Sequence, residues 1–334
     1  MKSPAGISAM ACILCGATQS AAIHRGGDSL YRTTDEMFTV VRCAGCGLAR
    51  LDPQPVDVGR FYPVRYWHTP GRLEEIYRRL VIRDHVRFAR RALGEGRRVL
   101  DVGCGSGLFL RVLTEKSRAP RAATSETGKK KTGRDETSVT GIDASTQAAA
   151  LAWHDHGVPV AVGNLVRAPF AAASFDLICM FHLLEHLADP IDCLNAVRGL
   201  LAPGGKLVIQ TPNLDCWQYR LFGKRWSGLD IPRHLYDFRL QDLRFMLHNC
   251  GFRVVRVKHF SWRDNPAGLA TTIAPRLEPV ARSARGDRPH VFWRWLYPVL
   301  TLASLPLALL EAFFGHGSSV MIEAATADPA RGAV

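Results

Sequence analysis

The chain has 334 residues, 47% hydrophobic and 22% charged, which excludes a wholly disordered protein and allows one large domain or two unequal ones. Its 43 Lys and Arg against 30 Asp and Glu leave a formal charge of +13. That surplus favours anionic partners without choosing among nucleic acid, acidic lipid and phosphorylated substrates.

Residues 1–60 hold four of the nine cysteines as two Cys-x-x-Cys pairs, Cys12/Cys15 and Cys43/Cys46, with 27 residues between them and a glycine after each pair. Two such knuckles can bring four thiolates to one tetrahedral Zn²⁺, and a closed Cys₄ set leaves no open position for catalysis. A small zinc-ribbon module with a structural metal is therefore expected. The remaining cysteines are scattered, which fits a reducing, cytoplasmic compartment better than a disulfide framework. Only Lys2 precedes the weakly apolar stretch 9–14 and no clear cleavage site follows, so no secretory signal is expected.

After a Pro-rich exit (Asp52-Pro53-Gln54-Pro55), residues 61–94 read as a helical linker. Apolar residues recur at Ile76, Leu80, Ile82, Val86, Ala89 and Leu93 until Gly94 and Gly96 end the run. From residue 95 to 334 the grammar changes. Strands are predicted at Val99–Val102, Val139–Ile142, Val158–Val162, Phe175–Met180 and Lys206–Thr211. Helices are predicted at Leu108–Lys116, Ser145–His156, Pro190–Leu201 and Leu240–Cys250. This alternation implies an α/β fold, a parallel sheet covered on both faces. Residues 117–138, polar and carrying a Lys run, read as a disordered insertion, a solvated loop rather than a nucleic-acid arm.

The most informative run is Val99-Leu100-Asp101-Val102-Gly103-Cys104-Gly105-Ser106-Gly107. An apolar strand ends in Asp, passes three alternating glycines and enters a helix, so the backbone can turn tightly and a ligand can approach it closely. The spacing is Gly-x-Gly-x-Gly rather than the Gly-x-Gly-x-x-Gly of dinucleotide folds, which argues against a dehydrogenase. A second strand ends in Gly141-Ile142-Asp143, where a carboxylate can accept bonds from ribose hydroxyls. Asn164, in Val162-Gly163-Asn164-Leu165, can bond an adenine amino group between apolar neighbours.

In order, LDVGCGSG, GID, the GN…PF…SFDLI stretch, LLEHLADP and LLAPGGKLVIQTPN resemble the class I S-adenosylmethionine-dependent methyltransferases over residues 95–260. The resemblance implies a Rossmann-like, seven-stranded methyltransferase sheet. It assigns Asp101, Gly103, Gly105 and Gly107 to the methionine end of the cofactor, Asp143 to its ribose, and Asn164 and Leu165 to its adenine. Asn164 departs from the Asp that many relatives carry, but its amide oxygen can still accept.

The segment Phe181-His182-Leu183-Leu184-Glu185-His186 resembles ubiquinone-biosynthesis methyltransferases and their wider relatives. An oxygen acceptor needs a base, and His186 is one candidate. Glu185 and His186 together offer ligands for a cation; the alternative is a helix cap and a packed histidine. In the loop Trp226–Tyr236, Arg233 is a candidate to hold an anionic substrate and His234 a second candidate base.

VVRCAGCGLARLDPQP followed by FYPVRYW resembles the zinc module of bacterial methyltransferases that act on sugars or small metabolites, and more weakly that of certain ribosomal-RNA methyltransferases. Without a basic–aromatic surface in that segment, a small-molecule or glycan- or lipid-linked acceptor is favoured over RNA. A non-catalytic zinc adaptor that keeps the cofactor fold is the rival from another class.

The stretch 261–317 reads as an apolar insertion ahead of a last strand at Ser319–Ala325, expected beside Phe252–His259. Within it, Trp295–Leu310 is 16 residues without a charge, interrupted by Pro298 and Pro306. That is short for a membrane span. Through 291–314 it suits peripheral contact with acidic headgroups, aided by Trp293, Trp295, Tyr297, Arg288 and Arg294, or equally a buried hairpin or dimer contact.

Overall fold

The computed structural model describes residues 10–63, 66–67, 71–117, 137–287 and 291–327, apart from the side chains of residues 73, 116–117 and 291–294. The predicted insertion is thus described only at its two ends, and Arg288 lies outside the described residues, as do the side chains of Trp293 and Arg294.

The strands are β1 (Ser20–Gly26), β2 (Phe38–Cys43), β3 (Ala49–Leu51), β4 (Arg98–Val102), β5 (Ser138–Asp143), β6 (Val160–Val162), β7 (Phe175–Phe181), β8 (Leu201–Pro212), β9 (Tyr236–Asp237), β10 (Phe252–Lys258) and β11 (Ser319–Thr326). The helices are α1 (Arg72–Leu93), α2 (Leu108–Ser117), α3 (Thr146–His156), α4 (Pro190–Leu200), α5 (Trp217–Phe222), α6 (Leu240–Asn249), α7 (Asn265–Ile273), α8 (Pro279–Arg285) and α9 (Val291–Phe313).

Seven strands form one mixed sheet in the order β10-β11-β8-β7-β4-β5-β6. The five strands from β8 to β6 run parallel, and β11 runs antiparallel to both β8 and β10. The last strand thus lies beside Phe252–Lys258, as expected. The inner strands are nearly continuous apolar runs because both faces are covered: Leu100, Leu177, Ile178, Cys179 and Met180 are all fully buried. Local chemistry sets the helix ends. Ser145 accepts the Ala148 N–H at the start of α3, Gly157 closes it in a left-handed turn at φ +65°, and Asp189 caps α4 ahead of Pro190.

The chain lays β5 and β6 on one side of β4, then returns to lay β7 and β8 on the other. The loops after β4 and β7 therefore flank the point where strand order reverses, the crevice in which open α/β sheets bind ligands. A second sheet, β1-β2-β3-β9, takes its last strand from residues 236–237, far down the chain. Val40, Leu48 and Leu51 of this ribbon share a single core with Leu184, Ile209 and Phe238. The ribbon is thereby packed against the crevice side of the larger sheet.

Two expectations change. The residues 291–313 form one continuous helix with Pro298 and Pro306 inside it, rather than a hairpin broken at the prolines. Tyr297, expected at a membrane interface, is buried, and its hydroxyl lies 2.8 Å from the Thr271 hydroxyl.

Candidate functional site

The four ribbon cysteines come together as the spacing predicts, with one sulfur from each within 4.8 Å of the others. Cys12 Sγ lies 3.5 Å from Cys46 Sγ, and Cys15 Sγ 3.5 Å from Cys43 Sγ. A tetrahedral Zn–S shell with bonds of about 2.3 Å requires sulfurs about 3.8 Å apart, so the set fits zinc. Burial raises the Cys43 thiol, but N–H groups of Cys46 and Gly45 and the neighbouring thiols outweigh it and bring it to about 6. Gly16 (φ +73°) and Gly47 (φ +80°) complete the knuckles in backbone conformations that disfavour a Cβ.

Asp101 is the penultimate residue of β4, and the three glycines that follow the strand take φ +72°, +53° and +73°. A Cβ on Gly103 would lie 3.0 Å from Leu183, and one on Gly105 would lie 2.8 Å from the Trp67 ring. One on Gly107 would meet Ala152 and Val158. The loop is therefore a bare backbone strip walled by Leu183 and Trp67. Asp143 braces it: Oδ2 accepts the Gly105 N–H at 2.9 Å and Oδ1 the Ser145 N–H at 2.9 Å. Each of these oxygens keeps a lone pair for a hydroxyl donor. Burial, with the Asp143 charge close by, pushes the Asp101 carboxyl well above the usual range. A cation beside it would reverse that shift, so the cradle is chemically matched to the sulfonium and ammonium of S-adenosylmethionine. Asn164 is exposed and caps the turn Leu165–Arg167 by accepting the Val166 N–H. Leu165 turns its side chain into the core, while Val162 and Val166 are exposed on either side of Asn164.

The other half of the crevice is assembled from distant segments. His182, at φ +52°, follows β7; its Nδ1 lies 3.4 Å from Glu185 Oε1 and its Nε2 3.3 Å from Asp264 Oδ1. Asp264 also receives the Ser261 hydroxyl at 2.6 Å and the Gln210 amide at 2.7 Å, and His85 of α1 approaches it at 3.5 Å. Burial alone would lower the His182 imidazole, but Asp264 and Glu185 reverse this and raise it to about 9. His182 is thus a held cation at neutral pH.

His186 and His234 meet edge to face with ring centroids 4.7 Å apart. His186 Nδ1 lies 2.9 Å from the Arg233 carbonyl and His234 Nδ1 2.8 Å from the Gly228 carbonyl. A carbonyl only accepts, so both Nδ1 atoms carry the hydrogen and Nε2 is the ring nitrogen left to face other groups. Burial and the neighbouring His186 lower His234 to about 4, which makes it neutral at pH 7. Tyr62, from the FYPVRYW run, places its hydroxyl 3.1 Å from His186 Nδ1. Tyr62 packs against Tyr66, and Tyr66 against Trp67, each pair with centroids 5.1 Å apart. One aromatic wall thus runs from Gly105 to His186. Glu185, His186 and His234 offer one ligand atom each, all within 4.8 Å, and beyond the His182 approach at 3.4 Å the buried Glu185 oxygens have no hydrogen-bond partner among the described residues. That trio could hold a cation.

Arg233 does not serve an anionic substrate. Its fully buried guanidinium is bidentate to Asp28 (2.8 and 2.9 Å), bonds Asp230 and the Phe61 carbonyl, and sits 4.4 Å over Tyr31. It ties the ribbon to the loop carrying His234. Sequence reasoning missed Tyr62, Tyr66, Trp67, His182 and Asp264 as parts of the site. The cluster of aromatics just after the Pro-rich exit was the available signal for the first three.

A family model described as a methyltransferase domain matches residues 73–257. A ubiquinone biosynthesis O-methyltransferase of Nitrosococcus oceani is 27% identical over 204 residues, covering 57% of this chain and 76% of that protein. Its counterpart in Photorhabdus laumondii is 25% identical over 195 residues, covering 56% and 73%. Among solved structures, a SAM-dependent methyltransferase from Archaeoglobus fulgidus matches with a TM-score of 0.47 and 20% identity, over 75% of this chain and 97% of that one.

Proposed function

This chain belongs to the class I S-adenosylmethionine-dependent methyltransferases, and from that premise we propose that it methylates a hydroxyl of a small-molecule or glycan- or lipid-linked acceptor, with His186 as the base. The observation that carries this reading is one of continuity. Leu183 lies against Gly103 of the donor cradle, and three residues later His186 has its Nδ1 on the Arg233 carbonyl, which leaves Nε2 as the ring nitrogen for an acceptor. The O-methyltransferase relatives add support for an oxygen acceptor.

When bound, S-adenosylmethionine supplies an activated sulfonium methyl. Asp101 and the Gly103–Gly107 backbone would hold its methionine end, Asp143 its ribose hydroxyls, and Asn164 with the backbone of Leu165 its adenine. Alignment then supplies much of the rate. His186 would draw the acceptor proton onto Nε2 while the Arg233 carbonyl keeps Nδ1–H in place. Tyr62 and Tyr66 wall the acceptor side and His234 fills the space behind His186.

A second reading of the same trio has Glu185, His186 and His234 binding a divalent cation that lowers the acceptor hydroxyl's pKa. Activity abolished by chelator and restored by one added metal favours it, and activity indifferent to chelator favours His186 as base. The ribbon is proposed to hold structural zinc: metal analysis should find one zinc per chain, lost in Cys43→Ser with a fall in melting temperature.

Methyl-labelled cofactor incubated with fractionated extract tests the acceptor class. Label in small metabolites, polysaccharide or lipid supports the proposal, and label in RNA overturns it. Cofactor binding with label in no fraction would favour the adaptor.

A further inference from the structure

Helix α9 is amphipathic in the reverse sense. At 100° per residue, Trp295, Val299, Leu302, Leu309, Leu310 and Phe313 fall within an arc of about 100°, and all six are exposed, Leu302 to 70% and Phe313 to 82%. The opposite stripe, turned into the protein, is Tyr297, Ser304, Ala308 and Glu311. Tyr297 bonds Thr271 of α7, and Glu311 accepts the Gln218 amide of α5 at 2.6 Å. A helix made for water places its apolar stripe inward; this one spends polar groups on its docking face and turns hydrocarbon outward. A contiguous apolar surface of this kind marks an interaction site.

The fold constrains what covers it. The helix is long and apolar enough to cross a membrane, but its inner face is bonded to α5 and α7, and the chain enters from β10 and returns in β11, its immediate neighbour in the sheet. A span would carry those ends to opposite sides of the bilayer. The helix can lie only in the plane of a surface. Charge decides which kind. Phe314, at its end, stacks on Trp217 of α5 at 5.5 Å. Arg276, exposed, sits on the turn Pro275–Leu277 packed against α9. An outward apolar stripe with an exposed arginine on the turn beside it, on a chain of net charge +13, fits acidic headgroups over acyl chains.

We propose that α9 docks the protein in the plane of an anionic lipid surface, inserting the stripe from Trp295 to Phe313. The docking does not depend on the acceptor, because the assay needs neither cofactor nor substrate. In flotation with vesicles containing roughly one-third phosphatidylglycerol in phosphatidylcholine, the full chain floats with the lipid, and much less with phosphatidylcholine alone. Leu302→Glu with Phe313→Glu, both outward-facing, lowers binding by about tenfold or more with the melting temperature unchanged. Brominated lipid quenches part of the tryptophan emission in the native chain and less in Trp295→Phe. Failure of the folded chain to float at low salt overturns the proposal, as does flotation indifferent to the double substitution. A lipid-independent dimer that the double substitution dissociates assigns the stripe to a second copy and overturns it equally.

Discussion

The two halves of the crevice are built in opposite ways. On the donor side, backbone does most of the work: three glycines at positive φ form a bare strip, and Asp143 braces it through the Gly105 N–H. All of it comes from strand ends and the turns directly after them. On the acceptor side, side chains do the work, and they converge from the ribbon exit (Tyr62), α1 (His85), the turn after β7 (His182, Glu185, His186), the Trp226–Tyr236 loop (His234) and the start of α7 (Asp264). A strip of backbone can serve one donor for many acceptors, whereas a side-chain constellation is specific to its substrate. On the proposed reading, the difference assigns substrate specificity to the side-chain half.

Separating the two halves by mutation is the sharpest way to break the comparison. His186→Ala should lower kcat by about 10²–10⁴-fold, the usual worth of a positioned base, while calorimetric donor affinity stays put; a parallel loss of affinity would join the halves. Asp143→Ala should weaken donor binding by about 100-fold, the scale of two hydrogen bonds to a charged group. A KM for acceptor that rose as steeply would count against its assignment to the donor side alone.

The pH dependence isolates the acceptor half. His182 is held at about 9 in the folded chain against about 6.5 unfolded. Its contribution, about 3 kcal/mol from a shift of about 2.5 units, is complete below pH 6.5 and is lost as pH rises through 9. Urea titrations across that range should show stability falling, and the slope should flatten in His182→Gln; an unchanged slope would place the charge elsewhere. The smallest effect belongs to Tyr62→Phe, which removes one hydrogen-bonding hydroxyl from His186 and should cost about fivefold in kcat, near 1 kcal/mol. Restoration of rate at higher pH would identify it as a positioning group for the imidazole.

The same contrast explains what could be read before the structure. The tight turn at Gly103, Gly105 and Gly107 and the carboxylate of Asp143 at the neighbouring strand end were legible because both are local demands, written in adjacent residues. So were the ribbon cysteines, whose knuckle spacing nearly dictates their cluster, and the order of strands and helices, which follows from periodicity. Arg233 was misread because a guanidinium in a loop looks free until Asp28, 205 residues earlier, is found beneath it. His182 and Asp264 were passed over because an ion pair between residues 82 apart in the chain leaves no trace in either partner's neighbours. In α9, apolar content was plain from sequence, but the inward turn of Tyr297 and Glu311 depends on Thr271 and Gln218, which only the fold brings near.

The central claim is that the donor sits on the bare strip after β4. Calorimetric titration with S-adenosylhomocysteine tests it most directly when the native chain is compared with Gly105→Val, whose Cβ would meet both an unfavourable φ of +53° and the Trp67 ring at 2.8 Å. The expected result is one binding event per chain, abolished in the variant while its melting temperature shows it folded. Binding that persists undiminished in folded Gly105→Val, or no binding by the native chain, would contradict it.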